Sequence, residues 1–157
     1  MKRSLFLILA AAICILFMLC KSKSKPSGGS IITKKDTVVM LAGINSKGIG
    51  RFRNIQLTHP LDEKMVNRGS VIYQTKCFAC HKLTNETLVG PGWSGVTDRR
   101  QPEWILNWIT NTKVMLEKDL AAQTELVVCL IRMPNQDLTD QQARDVLEFM
   151  RSNDGKK

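Results

Sequence analysis

Acidic residues are almost missing from the first 59 residues, which contain ten Lys or Arg and a single carboxylate, Asp36. This segment carries the whole formal net charge of +9, because the thirteen bases in residues 60–157 are balanced by thirteen acids. The excess charge therefore belongs to a terminal segment. It gives no support to a basic groove for nucleic acid in the rest of the chain.

Long apolar runs are missing after residue 20, which excludes a many-pass membrane protein. The apolar fraction of 43% and the charged fraction of 24% are ordinary globular values and exclude collagen and wholesale disorder. A chain of 157 residues fits one domain with appendages and is too short for two full domains.

The single apolar run, residues 5–20, follows Lys2 and Arg3 and precedes a lysine-rich stretch. This pattern is typical of an export signal or a membrane anchor. A helix of these residues would be roughly 24 Å long, against a hydrocarbon core of roughly 30 Å. An Ala-x-Ala cleavage site at residues 10–12 lies in the middle of the run, which argues against simple cleavage.

Cys20, at the end of the run, resembles the lipid-modified cysteine of bacterial lipoproteins, although Leu19 departs from the small residue of that motif. We predict a signal peptide or a membrane or lipid anchor over residues 1–20 and a flexible tether over residues 21–47. The remaining residues, 48–157, are predicted to form one domain outside the cytoplasm.

Histidine is scarce, and one of the two, His81, completes a C-x-x-C-H pattern with Cys77 and Cys80. This pattern is the attachment signature of a c-type haem. Two thiols one helical turn apart can each add to a vinyl group of the porphyrin, while the adjacent imidazole reaches the iron.

Other interpretations of the motif are open but weaker. A thioredoxin-like pair would need a βαβ context, whereas the residues before Cys77 have a helical pattern. A zinc site would need two more ligands, and only His59 and Cys129 are candidates, at no recognised spacing. A structural disulfide remains possible in an oxidising compartment.

Two helices are predicted to cross beside this motif. Gly69, Tyr73 and Cys77 follow one another at four-residue steps and so share a helical face. We expect the last helix to cross at Gly69 and to place Phe149 or Met150 against Tyr73. The last helix is indicated by a capping box and by apolar residues at helical spacing: Thr139, Gln142, Ala143, Val146, Leu147 and Met150.

Met133 is the favoured sixth ligand for the iron, because Pro134 stiffens the loop that precedes the last helix. Most methionines are core filler. Met115 and His59 are the rival ligands.

These features together resemble class I cytochrome c over residues 62–153, through the spacing of Gly69, Tyr73 and the C-x-x-C-H motif, then Gly90-Pro91, Met133-Pro134 and the terminal helix. The resemblance implies an all-α fold, a few helices wrapped around one haem c attached through Cys77 and Cys80. It also implies that His81 is the proximal ligand and Met133 the distal one, and that the second nitrogen of His81 donates to the carbonyl of Pro91.

Other parts of the chain yield more local expectations. Where the family often has Tyr in the last helix, this chain has Phe149. A middle helix opens at Pro102 and carries Trp104 and Trp108. An indole N–H of that helix, Arg99 or Arg100 is a candidate partner for a haem propionate.

Two further segments carry predictions. An extra helix is expected to open at Asp119, and Cys129 beyond it is interpreted as a small buried hydrophobe. The residues from Gly48 onward are expected to form a strap across the domain, anchored by apolar side chains at Phe52, Ile55 and Leu57.

The function implied is one-electron transfer, without enzymatic activity or a small-molecule substrate, on the periplasmic side of the membrane. The expected partners are redox proteins, such as a respiratory complex and a terminal oxidase or reductase. Lys76, Lys82 and Arg132 would supply a basic rim for them. The alternative is a haem-based sensor or ligand-binding module with a displaceable sixth ligand. A haem enzyme is disfavoured because only His59 remains as a spare histidine.

Overall fold

The computed structural model describes residues 45–157, so the predicted anchor and all but the last residues of the predicted tether lie outside the described residues. The described part is helical, and its β pairing is limited to an isolated antiparallel bridge between His81 and Thr87. The predicted all-α fold is confirmed. Its helices are α1 (Glu63–Ile72), continued by a π-helical turn (Tyr73–Cys77), α2 (Val96–Arg99), α3 (Pro102–Thr110), α4 (Thr112–Lys118), α5 (Leu120–Cys129) and α6 (Asp140–Asn153).

The crossing of α1 and α6 is the main contact between helices. Gly69 lies against the backbone of α6, where an added Cβ would be 2.1 Å from the carbonyl oxygen of Asp145 and 2.8 Å from Cβ of Phe149. Only a residue without a side chain permits this approach. Arg68 also binds the Asp145 carboxylate with two hydrogen bonds of 2.8 Å. The predicted crossing at Gly69 is confirmed.

Tyr73 is buried at this crossing, and its ring centroid lies 5.5 Å from that of Phe149, as expected. Met150 is also buried. The capping box of α6 is present, since the Thr139 side chain accepts from the Gln142 amide and the Gln142 side chain accepts from the Thr139 amide. Capping and packing together fix both ends of the contact.

The middle of the chain is more helical than the sequence indicates. The predicted helices at Pro102 and Asp119 are present, and the Asp119 carboxylate caps α5 by accepting from the Ala122 amide at 2.9 Å. Two short helices, α2 and α4, were not predicted. They span four and seven residues, which is too short for a clear apolar periodicity.

A strap of residues 46–58 is fixed by polar as well as apolar contacts. Asn107 of α3 is fully buried and makes three hydrogen bonds to the strap backbone at Phe52 and Lys47. Phe52 is buried and Ile55 packs against the core, as expected. Leu57 was wrongly predicted as an anchor, because it is exposed. Its neighbour Thr58 is held instead, through hydrogen bonds to Glu148 and Arg151 of α6.

Within residues 45–157, no helix combines the length and the apolar composition that crossing a bilayer requires.

Candidate haem site

The C-x-x-C-H motif lies on a tight turn that continues α1 through a π-helical segment. The amides of Cys80 and His81 donate to the Cys77 carbonyl over 3.0 and 2.9 Å, which places both thiols and the imidazole close together. Cys77 is buried and Cys80 half-buried, and both are free thiols, so they form no disulfide here. Burial raises the pKa of the Cys77 thiol to about 11, so the thiol is protonated at neutral pH.

The competing interpretations of the motif find no support in the described residues. Residues 45–157 contain no group of three or more His, Cys, Asp or Glu arranged to hold a metal ion. The segment before Cys77 is helical, with no βαβ unit around it.

His81 is held from three sides. Its Nδ1 lies 2.8 Å from the carbonyl oxygen of Pro91, the contact that the resemblance implies. Its own carbonyl accepts a hydrogen bond of 2.8 Å from the Tyr73 hydroxyl. Gly90 lies flat against the ring, where an added Cβ would be 2.4 Å from Cε1. The position and the tilt of the imidazole are therefore fixed by its neighbours.

The environment of His81 favours the neutral imidazole. Burial lowers the pKa of His81, and the hydrogen bond to the Pro91 carbonyl only partly offsets this effect. With Nδ1 carrying the proton donated to Pro91, Nε2 keeps its lone pair. This is the protonation state that a metal-binding histidine needs.

Trp93 completes this wall of the site and was not singled out in the sequence. Its side chain is buried, and its ring centroid lies 5.0 Å from that of Tyr73 and 5.8 Å from that of His81. The sequence did contain a signal for Trp93, because this residue lies shortly after Gly90-Pro91, and Pro91 was the predicted partner of His81.

A cavity of about 280 Å³ opens beside the motif and has mainly apolar walls. His81 lines one side and Met133 another, and a smaller cavity of about 40 Å³ extends the space to Cys77. Two thiols one helical turn apart, an oriented neutral imidazole and an apolar space bounded by a thioether fit a c-type haem.

The rivals of Met133 lie elsewhere. Met115 is fully buried, and its Sδ accepts a hydrogen bond of 3.0 Å from the Ile49 amide of the strap. His59 is exposed at a different cavity, and its Nδ1 lies 3.5 Å from the Lys157 carbonyl. Neither residue lines the cavities that His81 and Met133 share.

The expectation of an indole donor to a haem propionate is not supported for α3. The Trp104 indole donates to the buried carboxylate of Asp119 over 3.0 Å. The Trp108 indole donates to Sδ of Met133, also over 3.0 Å. Both donors are therefore engaged by protein acceptors that were not foreseen. Arg99 and Arg100 do line the cavity.

Cys129, interpreted as a small buried hydrophobe, is half-buried and lines the same cavity. Burial raises the pKa of its thiol.

A helical domain with this motif in one wall of an apolar cavity has the arrangement of a c-type haem protein. The Cytochrome c family matches residues 66–154, more than half of the chain. The chain belongs to that family, and it is a class I cytochrome c with one haem.

Solved structures agree with this assignment. Cytochrome c from Rhodothermus marinus is 28% identical, with a TM-score of 0.65, over 68% of this chain and 90% of that one. An engineered Rhodothermus marinus cytochrome c, Rma TDE, is 26% identical, with a TM-score of 0.66, over 74% of this chain and 98% of that one. The same engineered protein bound to a carbene intermediate is 26% identical, with a TM-score of 0.63 and the same coverage. No curated protein matches the sequence. Family and fold identify a haem-based electron carrier.

Proposed function

We propose that the protein is a one-electron carrier whose haem c is attached through Cys77 and Cys80, with His81 and Met133 as axial ligands. The observation that carries this proposal is that His81 and Met133 line the same cavity, whereas Met115 and His59 do not. When bound, the haem supplies a metal that gains and loses one electron without making or breaking substrate bonds.

The residues around the cavity have distinct parts in this function. The carbonyl of Pro91 and the small Gly90 keep the imidazole of His81 oriented, and burial of the imidazole keeps it neutral. Trp93 and Trp108 line the cavity and help to exclude water. A methionine ligand opposite a histidine would favour reduced iron. A dry surrounding would disfavour the extra positive charge of oxidised iron, so both features would raise the reduction potential.

Attachment and ligation are tested separately. Extraction of the reduced holoprotein with acid acetone should leave the haem on the chain if thioether bonds have formed to Cys77 and Cys80. The oxidised protein should show the weak far-red absorption of methionine–iron bonding, and Met133→Ala should abolish it. A colourless wild-type protein from a host that can attach haem would refute the proposal.

Met115→Ala is the matched control for Met133→Ala. This variant removes a fully buried thioether that accepts from the Ile49 amide, so we expect it to lose about 2–5 kcal/mol of stability. The far-red band should persist, because Met115 does not line the cavity. The reverse result, with the band lost only in Met115→Ala, would transfer the ligand role to Met115.

We further infer that the domain works on the periplasmic side of the membrane, held by residues 1–20 either as a helix or through lipid on Cys20. The support is the charge and apolar pattern of the sequence. Membrane fractionation of the full chain and of Cys20→Ala tests both anchors. Release of the variant alone indicates lipid, retention of both indicates a helix, and release of both contradicts anchoring.

Redox proteins such as a respiratory complex and a terminal oxidase or reductase are the partners that this placement suggests. Exposed apolar side chains at the cavity, Val89 and Ile131, together with Arg132, offer a contact surface there. The two lysines expected at the basic rim are both engaged: Lys82 pairs with Glu86, and Lys76 donates to the Gln136 carbonyl. Such encounter surfaces are small, so few residues need to serve them.

A further inference from the structure

Asp119 places a buried carboxylate close to the haem cavity. The residue is 5% exposed, and its carboxylate accepts from the Trp104 indole over 3.0 Å, the Ala122 amide over 2.9 Å and the Ser46 hydroxyl over 2.8 Å. The indole and the amide can only donate, so these contacts suit an ionised carboxylate, which only accepts. Because Trp104 lines the cavity, a single side chain connects this negative charge to the cavity wall.

The charge of Asp119 is not cancelled by an ion pair with any residue of 45–157. Arg100 lies over the Trp104 ring, but it is paired with Glu125 over 2.6 Å. The three other buried carboxylates of this part of the chain each have a cation within 3.0 Å: Glu103 has Lys47, Asp145 has Arg68 and Glu148 has Arg151.

Helix capping does not explain why this buried residue is charged. Asp119 caps α5, and the free amides at the start of a helix favour a negative charge. A neutral Asn or Ser caps a helix about equally well, however. A buried charge without a counter-ion costs stability, so a function of the charge itself accounts for its presence.

We propose that the negative charge of Asp119 lowers the reduction potential of the haem iron. The inference rests on the proposed function, in which this cavity holds the haem. Oxidised iron carries one more positive charge than reduced iron, so a fixed negative charge nearby stabilises the oxidised state. Burial of Asp119 keeps water from screening this attraction as it would at the surface. Asp119 therefore offsets part of the rise in potential that methionine ligation and a dry cavity produce.

The test is the reduction potential of the Asp119→Asn holoprotein. This variant has the same shape, and its amide oxygen can still accept from Trp104 and Ala122, which both bind Oδ1. We expect the ratio of reduced to oxidised protein at a fixed ambient potential to rise about threefold, a reasonable order for one unit charge at an effective dielectric of about 20. This corresponds to about 28 mV, since tenfold is about 59 mV for a one-electron couple.

Two control variants separate the buried charge from other causes. Glu117→Gln removes the same charge from an exposed side chain two residues away, where water screens it, so the potential should stay at the wild-type value. Trp104→Phe removes one hydrogen bond to Asp119 and keeps the charge, so the potential should not rise. A threefold rise in either control would overturn the proposal, because net charge or loosening of α3 would then explain the result.

A second variant and a second measurement guard against a structural cause. Asp119→Ser also provides a neutral cap for α5, and it replaces Asp119→Asn if that variant fails to fold; a wild-type potential in the folded serine variant would contradict the proposal. In Asp119→Asn, the Trp104 indole proton should exchange with solvent as slowly as in the wild type. Fast exchange together with a raised potential would assign the shift to the lost contact and refute a role of the charge.

The outcomes distinguish this inference from the proposed function. Wild-type protein with attached haem and an unchanged potential in Asp119→Asn would refute the role of Asp119 and leave the electron carrier intact. A colourless wild-type protein would refute the proposed function, and this inference with it. If only the far-red band is missing, the ligation by Met133 is refuted, and Asp119→Asn should still raise the potential.

Discussion

The crossing of α1 and α6 leaves no space for a side chain at Gly69, which makes Gly69→Ala a sharp test of the fold. The new Cβ would lie 2.1 Å from the carbonyl oxygen of Asp145, and a backbone carbonyl cannot rotate aside as a side chain does. We therefore place the cost of overpacking at about 3 kcal/mol, the upper end of the usual range. Alanine regains about 1 kcal/mol of helix propensity over glycine. The expected net loss is about 2 kcal/mol.

The assay is thermal and guanidinium unfolding of the holoprotein, followed by circular dichroism. A loss of about 2 kcal/mol corresponds to a fall in Tm of roughly 8 °C for a domain of this size. Val71→Ala is the control, because Val71 is 64% exposed on the same helix and alanine is the better helix former there. A Gly69→Ala protein that is more stable than the wild type would refute the close crossing, since only the propensity gain would then remain.

Two further substitutions test how the histidine and the strap are held. Gly90→Ala places a methyl group against the imidazole of His81, so we expect a lower yield of holoprotein and an altered absorption spectrum; an unchanged spectrum at full yield would contradict the packing. Asn107→Ala removes three hydrogen bonds to the strap, including the two buried ones to the backbone of Phe52, and should cost about 3 kcal/mol. Limited proteolysis should then cut residues 46–58 faster, and wild-type resistance would show that the strap is held by other contacts.

The helix crossing was predictable because its signals are local. Four-residue spacing placed Gly69 and Tyr73 on one face, and a capping box fixed the start of the partner helix at Thr139. A glycine within a helix lowers the stability of that helix, and the close approach of a second helix explains why a glycine is present. Each of these statements needs only residues within one helical turn of one another, which is why the structure agrees with them.

The contacts that were missed join residues far apart in sequence. Asn107 lies 55 residues from Phe52, and a polar residue within an apolar helix gives no sign of the backbone it will meet. The strap was predicted from its apolar side chains, and Phe52 and Ile55 do pack against the core, but the hydrogen bonds that Thr58 and Asn107 make to hold it were not foreseen. The hydrogen bond from the Trp108 indole to Met133 was missed for the same reason. The packing of its aromatic ring was predictable from the sequence, but the direction of its N–H depends on how α3 packs.

The two sides of the cavity are built in different ways, and this difference bears on the choice between a carrier and a ligand-binding module. The side around His81 is fixed within a short stretch of chain, by the Pro91 carbonyl, Gly90 and the Tyr73 hydroxyl. The side around Met133 belongs to a loop, and its sulfur is held by Trp108, a residue of another helix. If that contact keeps the thioether in place, an external ligand must displace both the sulfur and its hydrogen bond. The rate of CO binding in Trp108→Phe therefore measures how far this one N–H keeps a redox carrier from binding small ligands.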